Sequence, residues 1–450
     1  MGRAPFLAGV VEGFYGRPWT PAQRHALVGR LGALGLNTYL YAPKDDLRHR
    51  ARWREAYPAA EAEALRDLIA ACGRAGVQFV YALAPGLDPA FARPDGLAAL
   101  EAKAGQLAAL GARHFAVLFD DIIPAPASGQ LGATEHDAAP QIEFAHHLRR
   151  WQRQQDPDAR LLFCPTPYCG RMAGEVTASG YLRHLGAHLD LTVDVMWTGP
   201  EIISETITPA DLVGLTSVLR RRPLIWDNLF ANDYDLRRLY LGPYAGRPAT
   251  LRGATSGVLL NPNCEFAAHR PALETFAAWV AGDDYDPGRA HAAAREVWHA
   301  DWRCLEAGGG STLLPPDLLA LLCDCLHLPF AHGSRAEAWR ADVAAALQGD
   351  VAAIARARGG CVRLASLFEH LTRLEDRQLL HTVYRLAWEL KEEAGLIAGY
   401  LDWRARGAAP GSAFHSAEHR PRTCRGGLVA DLQRLLPMRP DGSFTPAPQQ

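Results

Sequence analysis

The sequence predicts a (β/α)8 barrel followed by an α-helical bundle, an α/β architecture, on three observations. From the start to about residue 265, short apolar runs ending in polar or glycine residues alternate with Ala/Leu-rich amphipathic stretches. Eight such units follow one another, and strict alternation at that number suits a closed barrel better than an open doubly wound sheet. Further on, residues 290–350 and 360–404 keep a helical period with few strand-like runs. A length of 450 residues allows two or three domains, and the change of pattern sets a barrel at 1–285 and a helical domain at 286–450.

The elements follow in order. The expected strands are Phe6–Gly13, Thr38–Pro43, Phe79–Pro85, His114–Asp121, Leu161–Tyr168, Leu191–Thr198, Pro223–Asn228 and Gly257–Pro262. Runs this short and apolar read as parallel strands buried on both faces. Helical patterns lie between them at Pro21–Leu34, Ala59–Ala75, Leu97–Leu110 and Pro140–Gln155. In the second domain Leu318–Leu328 and His381–Tyr400 carry the helical period. Ala307-Gly-Gly-Gly-Ser-Thr312, with Pro315-Pro316 after it, reads as a linker between two helical parts, and Ala447–Gln450 as a frayed tail.

Composition excludes several functions. With 47 basic and 49 acidic side chains the net charge is −2, so nothing electrostatic favours nucleic acid or an anionic membrane as partner. Lysine occurs only at Lys44, Lys103 and Lys391, leaving 44 of the 47 basic residues to arginine, a bias of GC-rich codon usage. No lysine stands between Gly and Ser or Thr, so there is no P-loop, and the Gly-x-Ser-x-Gly, Gly-x-Gly-x-x-Gly and His-Glu-x-x-His motifs do not occur. Nine cysteines spread from Cys72 to Cys424 make no disulfide framework, and Cys323-Asp-Cys325 reads as helix core rather than a metal site. His146-His147 reads as an exposed helix face. Arg3 and the run Phe6–Val11 are too little for a signal peptide, and no run approaches the ~18 apolar residues of a membrane span. The expectation is a cytoplasmic chain with neither metal nor cofactor.

In such a barrel the active groups sit at the C-terminal ends of the strands. Those ends here read Glu12-Gly13-Phe14-Tyr15-Gly16, Pro43-Lys44-Asp45-Asp46, Phe119-Asp120-Asp121, Thr166-Pro167-Tyr168, Trp197-Thr198-Gly199, Trp226-Asp227-Asn228 and Asn261-Pro262-Asn263. Carboxylates, amides, a lysine and aromatic faces suit a sugar, with hydroxyl hydrogen bonds on one side and ring stacking on the other. Asp120 and Asp121 are the sharpest candidates, since retaining glycoside hydrolysis uses two carboxyl groups ~5–5.5 Å apart. Neighbours in a regular strand face opposite sides, so both can converge only where the backbone turns. Two close carboxylates would also raise one pKa and so supply a proton donor. The alternative is that one Asp caps the following helix and the other is solvated. Lys44 stands out in an arginine-rich chain as a compact point charge, Asp227 either faces away or anchors a loop, and Asp233 and Asp235 otherwise read as turn residues.

At these positions the sequence resembles the O-GlcNAcases of glycoside hydrolase family 84, β-N-acetylglucosaminidases with a (β/α)8 catalytic domain. The matching stretches include Gly9-Val-Val-Glu-Gly-Phe-Tyr-Gly-Arg-Pro-Trp19, Asn37-Thr-Tyr-Leu-Tyr-Ala-Pro-Lys-Asp-Asp46, Leu118-Phe-Asp-Asp-Ile122, Trp197-Thr-Gly-Pro200, Ile225-Trp-Asp-Asn228, Ala231-Asn-Asp-Tyr-Asp235 and Asn261-Pro-Asn-Cys-Glu-Phe266. Leu328-Pro-Phe330 and Arg425-Gly-Gly-Leu428 resemble the helical stalk of the animal-type enzymes, which implies a homodimer through the second domain. The animal pattern's long insert is reduced here to about Gly308–Pro316, and no acetyltransferase-like domain follows, as in a compact bacterial relative.

The resemblance implies substrate-assisted catalysis, in which the sugar's own acetamide oxygen attacks the anomeric carbon and forms an oxazoline. Asp120 would then polarise the acetamide N–H, and Asp121 would act as acid and then base. Tyr168 and Asn228 would hold the acetamide, Trp226 would wall its pocket, and Lys44, Asp233, Asn261 and the Gly13 backbone would bind the hydroxyls. The implied substrate is O-GlcNAc on serine or threonine of proteins. An exo-β-hexosaminidase acting on cell-wall or other glycans, and a non-catalytic GlcNAc-binding module, remain alternatives.

Overall fold

The computed structural model describes residues 5–122, 132–408, 412–416 and 424–448. Arg3 and residues 449–450 of the expected tail lie outside the described residues. The chain forms two compact units: residues 1–233, 244–266 and 276–285, and residues 234–243, 267–275 and 286–450.

In the first unit eight parallel strands close into a barrel. They are β1 (Leu7–Glu12), β2 (Thr38–Tyr41), β3 (Gln78–Leu83), β4 (His114–Leu118), β5 (Leu161–Cys164), β6 (Asp194–Trp197), β7 (Leu224–Asp227) and β8 (Gly257–Leu260). β8 pairs back onto β1, from Leu7↔Gly257 to Val10↔Leu260. Each strand ends one to four residues before its apolar run does, which frees the run's last, polar residues from the ladder. Period-2 alternation then orders the interior. Val11, Leu40, Ala82, Leu118, Leu162, Met196, Leu224 and Leu259 share the apolar cluster inside the barrel. Helices cover the outside, beginning with Pro21–Ala33, whose Thr20 and Gln23 form a reciprocal capping box with Pro21 at the first position.

The second unit is built on helices Pro287–His299, Pro316–Cys325, Ser334–Leu347, Val351–Leu371, Arg377–Ala405 and Gly427–Leu435. Their apolar faces meet in a core that includes Trp302, Leu322, Val343, Leu367 and Ile397, with Cys323 and Cys325 buried in it. Three expectations need correction. The glycine-rich stretch at 307–312 is no linker but the turn of a hairpin, β9 (Arg303–Leu305) with β10 (Ser311–Leu313). Gly309 and Gly310 take φ of 86° and 91°, a left-handed reversal that glycine alone makes without strain. Ala447 is tied down rather than frayed, since its N–H donates to Leu435 O at 2.9 Å. His146 and His147 are half-buried and engaged, with His146 Nε2 accepting from the Asp190 N–H and His147 paired with Glu101.

Candidate active site

Continuing the strand alternation by two residues predicts what reaches the rim of the barrel. Inward-facing Val11, Ala42, Leu118, Trp226 and Leu259 are followed two positions on by Gly13, Lys44, Asp120, Asn228 and Asn261. Residues of the opposite parity serve the outside of the barrel instead. Asp227 is fully buried against Arg247, whose guanidinium also donates to the carbonyls of Ser204, Glu205 and Ala245. Asp227 therefore anchors loops. Glu12 is likewise spent on Arg24 and Tyr39.

Asp120 is buried and ion-paired through Oδ2 with Lys44, whose side chain is only 3% exposed. Burial opposes the charged carboxylate, but Lys44 outweighs it and holds the pKa of Asp120 below the usual range. Of the two aspartates, Asp120 is therefore not the one that like-charge repulsion raises, because a lysine sits against it. Its Oδ1 is buried with no hydrogen-bond partner among the described residues. An ionised acceptor with a free, desolvated lone pair is suited to an N–H donor.

Asp121 has the wrong parity to face inward, and the backbone corrects it. Its φ is +55°, in the left-handed region that a non-glycine residue enters only at a cost. The turn brings its carboxylate to two phenols: Tyr15 donates to Oδ2 at 2.9 Å and Tyr168 to Oδ1 at 3.0 Å. The adjacent aspartates therefore lie in unlike settings, one locked to a buried cation and one partly exposed between tyrosines.

The other expected residues gather around this pair. Lys44 Nζ lies 5.9 Å from the Trp226 ring centroid and 5.6 Å from that of Tyr15. Trp226 occupies the space a side chain at Gly13 would need, since a Cβ there would stand 2.2 Å from the indole. Asn261 donates to Asn228 Oδ1 at 2.9 Å, and its own Oδ1 is buried without a partner among the described residues. Asn228 donates in turn to Ile202 O at 2.8 Å. Asp233 accepts the Tyr15 N–H at 2.9 Å, fixing the turn after β1. Among the described residues no group of three or more His, Cys, Asp or Glu is placed to hold a metal ion.

A profile of the beta-N-acetylglucosaminidase family matches residues 8–304, which spans the whole barrel. The chain belongs to this family. The rat (Rattus norvegicus) and mouse (Mus musculus) proteins called "Protein O-GlcNAcase" are each 44% identical to it over 279 residues. That stretch is 62% of this chain but 30% of either mammalian protein, so the chain matches under a third of their length. A solved Thermobaculum terrenum O-GlcNAc hydrolase, in mutant form, superimposes with a TM-score of 0.75 at 24% identity, over 90% of this chain and 85% of that one. That likeness extends the shared fold beyond the barrel.

Two site residues escaped the sequence reading. Tyr15 stood inside a quoted motif, but nothing in the pattern set it apart from an exposed loop aromatic. Arg50 donates to the Tyr15 hydroxyl at 2.6 Å and to the Asp121 carbonyl at 3.3 Å. In a chain with 44 arginines, one more gave no signal.

Proposed function

We propose that the chain is a retaining β-N-acetylglucosaminidase that removes O-linked GlcNAc from serine and threonine of proteins by substrate assistance. The observation that carries the reading is the division of labour between adjacent aspartates. Asp120, kept ionised by Lys44, accepts the acetamide N–H and so makes the acetamide oxygen a better nucleophile. That oxygen bonds to the anomeric carbon as the glycosidic bond breaks. Asp121 delivers a proton to the departing oxygen, then takes one from the water that opens the oxazoline. Tyr168 and Asn228 border the acetamide, Trp226 closes its pocket, and Asn261, Asp233, the Gly13 backbone and Lys44 serve the hydroxyls. Lys44 has a double duty, since its charge is already engaged with Asp120.

The expected test is a series of substrates whose N-acyl group carries successively more fluorine. If the acyl oxygen is the nucleophile, kcat/KM falls steeply along the series, and a flat series would sink the mechanism. Turnover of an O-GlcNAc peptide beside a muropeptide fragment separates the protein substrate from cell-wall glycans. The same reading places the enzyme in a reducing, cytoplasmic setting, in keeping with nine free cysteines. It also makes the second unit a dimerisation domain.

A further inference from the structure

We propose that Tyr15 is a displaceable hydrogen-bond donor that controls when Asp121 can carry its proton, with Arg50 holding the phenol in place. This rests on the reading of Asp121 as proton donor. Both carboxylate oxygens of Asp121 accept hydrogen bonds, from Tyr15 and from Tyr168. Two accepted bonds suit the ionised form, whereas on a carboxylic acid the protonated oxygen becomes a donor and accepts only weakly. Delivery of a proton to a glycosidic oxygen is therefore favoured when one of the two phenols lets go.

The two differ in freedom. Tyr168 is 9% exposed and packed into the barrel's apolar cluster. Tyr15 is 44% exposed on the turn after β1, where water offers its hydroxyl another acceptor. Its backbone stays pinned by Asp233, so the ring can swing away while the turn is kept. Arg50 stabilises the resting position from the far side: Nη1 donates to the Tyr15 oxygen, Nη2 to the Asp121 carbonyl, and the guanidinium carbon lies 5.6 Å from the ring centroid. A cation donating to a phenol oxygen polarises its O–H and strengthens the bond that the phenol gives onward.

Among the described residues, the titratable and charged groups around Asp121 are Tyr15, Tyr168, Arg50, Lys44, Asp120 and Cys164. Of these, only Tyr15 is both a donor to the carboxylate and exposed enough to leave. When the aglycone enters, Tyr15 releases Oδ2, and the carboxylate takes a proton from solvent. That proton passes to the glycosidic oxygen as its bond to the anomeric carbon breaks, and the bonding pair stays with the departing alcohol. The acetamide oxygen supplies the new bond. Asp121, ionised again, is recaptured by Tyr15 until the attacking water returns a proton.

Tyr15→Phe tests this. For a methyl glycoside, which leaves only when protonated, the alkaline limb of the kcat/KM profile should move up by roughly half a pH unit or more, because a donor to the ionised form is gone. A dinitrophenyl glycoside, which leaves unprotonated, should show the same profile shape in both proteins. An unmoved limb, at whatever rate, overturns the role of Tyr15. Asp121→Ala run alongside keeps the two ideas apart. Equal losses on both substrates would overturn the acid role of Asp121. A far larger loss on the methyl glycoside, with the limb unmoved in Tyr15→Phe, overturns this inference alone.

Discussion

Asp121 and Gly13 show how single residues make the rim of the barrel reactive. A left-handed φ at Asp121 turns a side chain that the strand would have sent outward. Gly13 does the reverse, contributing by what it lacks. Its missing Cβ leaves the space against Trp226, so Gly13→Ala should drive the indole off its position. Displacements near 1 Å can cost about a hundredfold in rate, and kcat/KM should fall by that order while circular dichroism stays native. Unchanged kinetics would show that Trp226 tolerates displacement. Asp120, Asp121 and Lys44 were legible in the sequence because they stand at strand ends, and in Lys44's case because lysine is scarce. What could not be read was which charge faces which. The proximity of two carboxylates suggested mutual repulsion, and only the three-dimensional placement of Lys44 against Asp120 reverses that for the buried partner. Lys103, another of the three lysines, is also buried. It donates to Glu55 O at 2.6 Å beneath the Tyr57 ring, and burial pushes its pKa down to about 8.

At the scale of elements, polar residues buried between layers bear much of the architecture. Arg247 and Asp227 are both fully buried, and Arg247 also gathers three loop carbonyls. Removing one partner strands the other charge, so Arg247→Met should cost about 3–5 kcal/mol in a denaturant melt. A loss under ~1 kcal/mol would mean the loops find other partners. Glu393, on the helix Arg377–Ala405, is 1% exposed, and burial pushes its pKa up to about 7 despite a donor from Gln433. Raised above its unfolded value near 4.5, it favours the folded state fully only at lower pH, and that contribution is lost as pH rises through about 7. Glu393→Gln should therefore stabilise the protein by about 2–3 kcal/mol at pH 8 and by little at pH 4. Equal effects at both would overturn the assignment. Strand positions followed from apolar runs because burial on both faces leaves a distinctive pattern. The β9–β10 hairpin did not, since three-residue arms on which only Cys304 is buried carry little apolar signal, and the glycines of a tight turn look like those of a linker.

At the scale of the molecule, the proposed dimer has a definite place to be sought. On the helix Arg377–Ala405, Tyr384 and Trp388 are nearly half exposed, and Lys391 lies over the Trp388 ring at 4.4 Å. Light scattering should give twice 49.0 kDa, and Trp388→Glu should return it to the single-chain mass. A wild-type chain of single mass at micromolar concentration would remove the dimer. Membership of the family accounts for the barrel but not for an aglycone, because the rim residues grip a sugar whatever it is attached to.

Closure of the barrel through β1 and β8 has a consequence in time. The residues that would hold one sugar run from Gly13 to Asn261, and the strand that carries the first pairs with the strand that carries the last. On the ribosome, the first strand must wait for almost the whole barrel to be made before it finds its partner. A nascent chain stalled before β8 would have both aspartates but no completed cavity around them. Activity during synthesis should therefore switch on in one step, and hydrolysis of a fluorogenic sugar would report the moment the ring is joined.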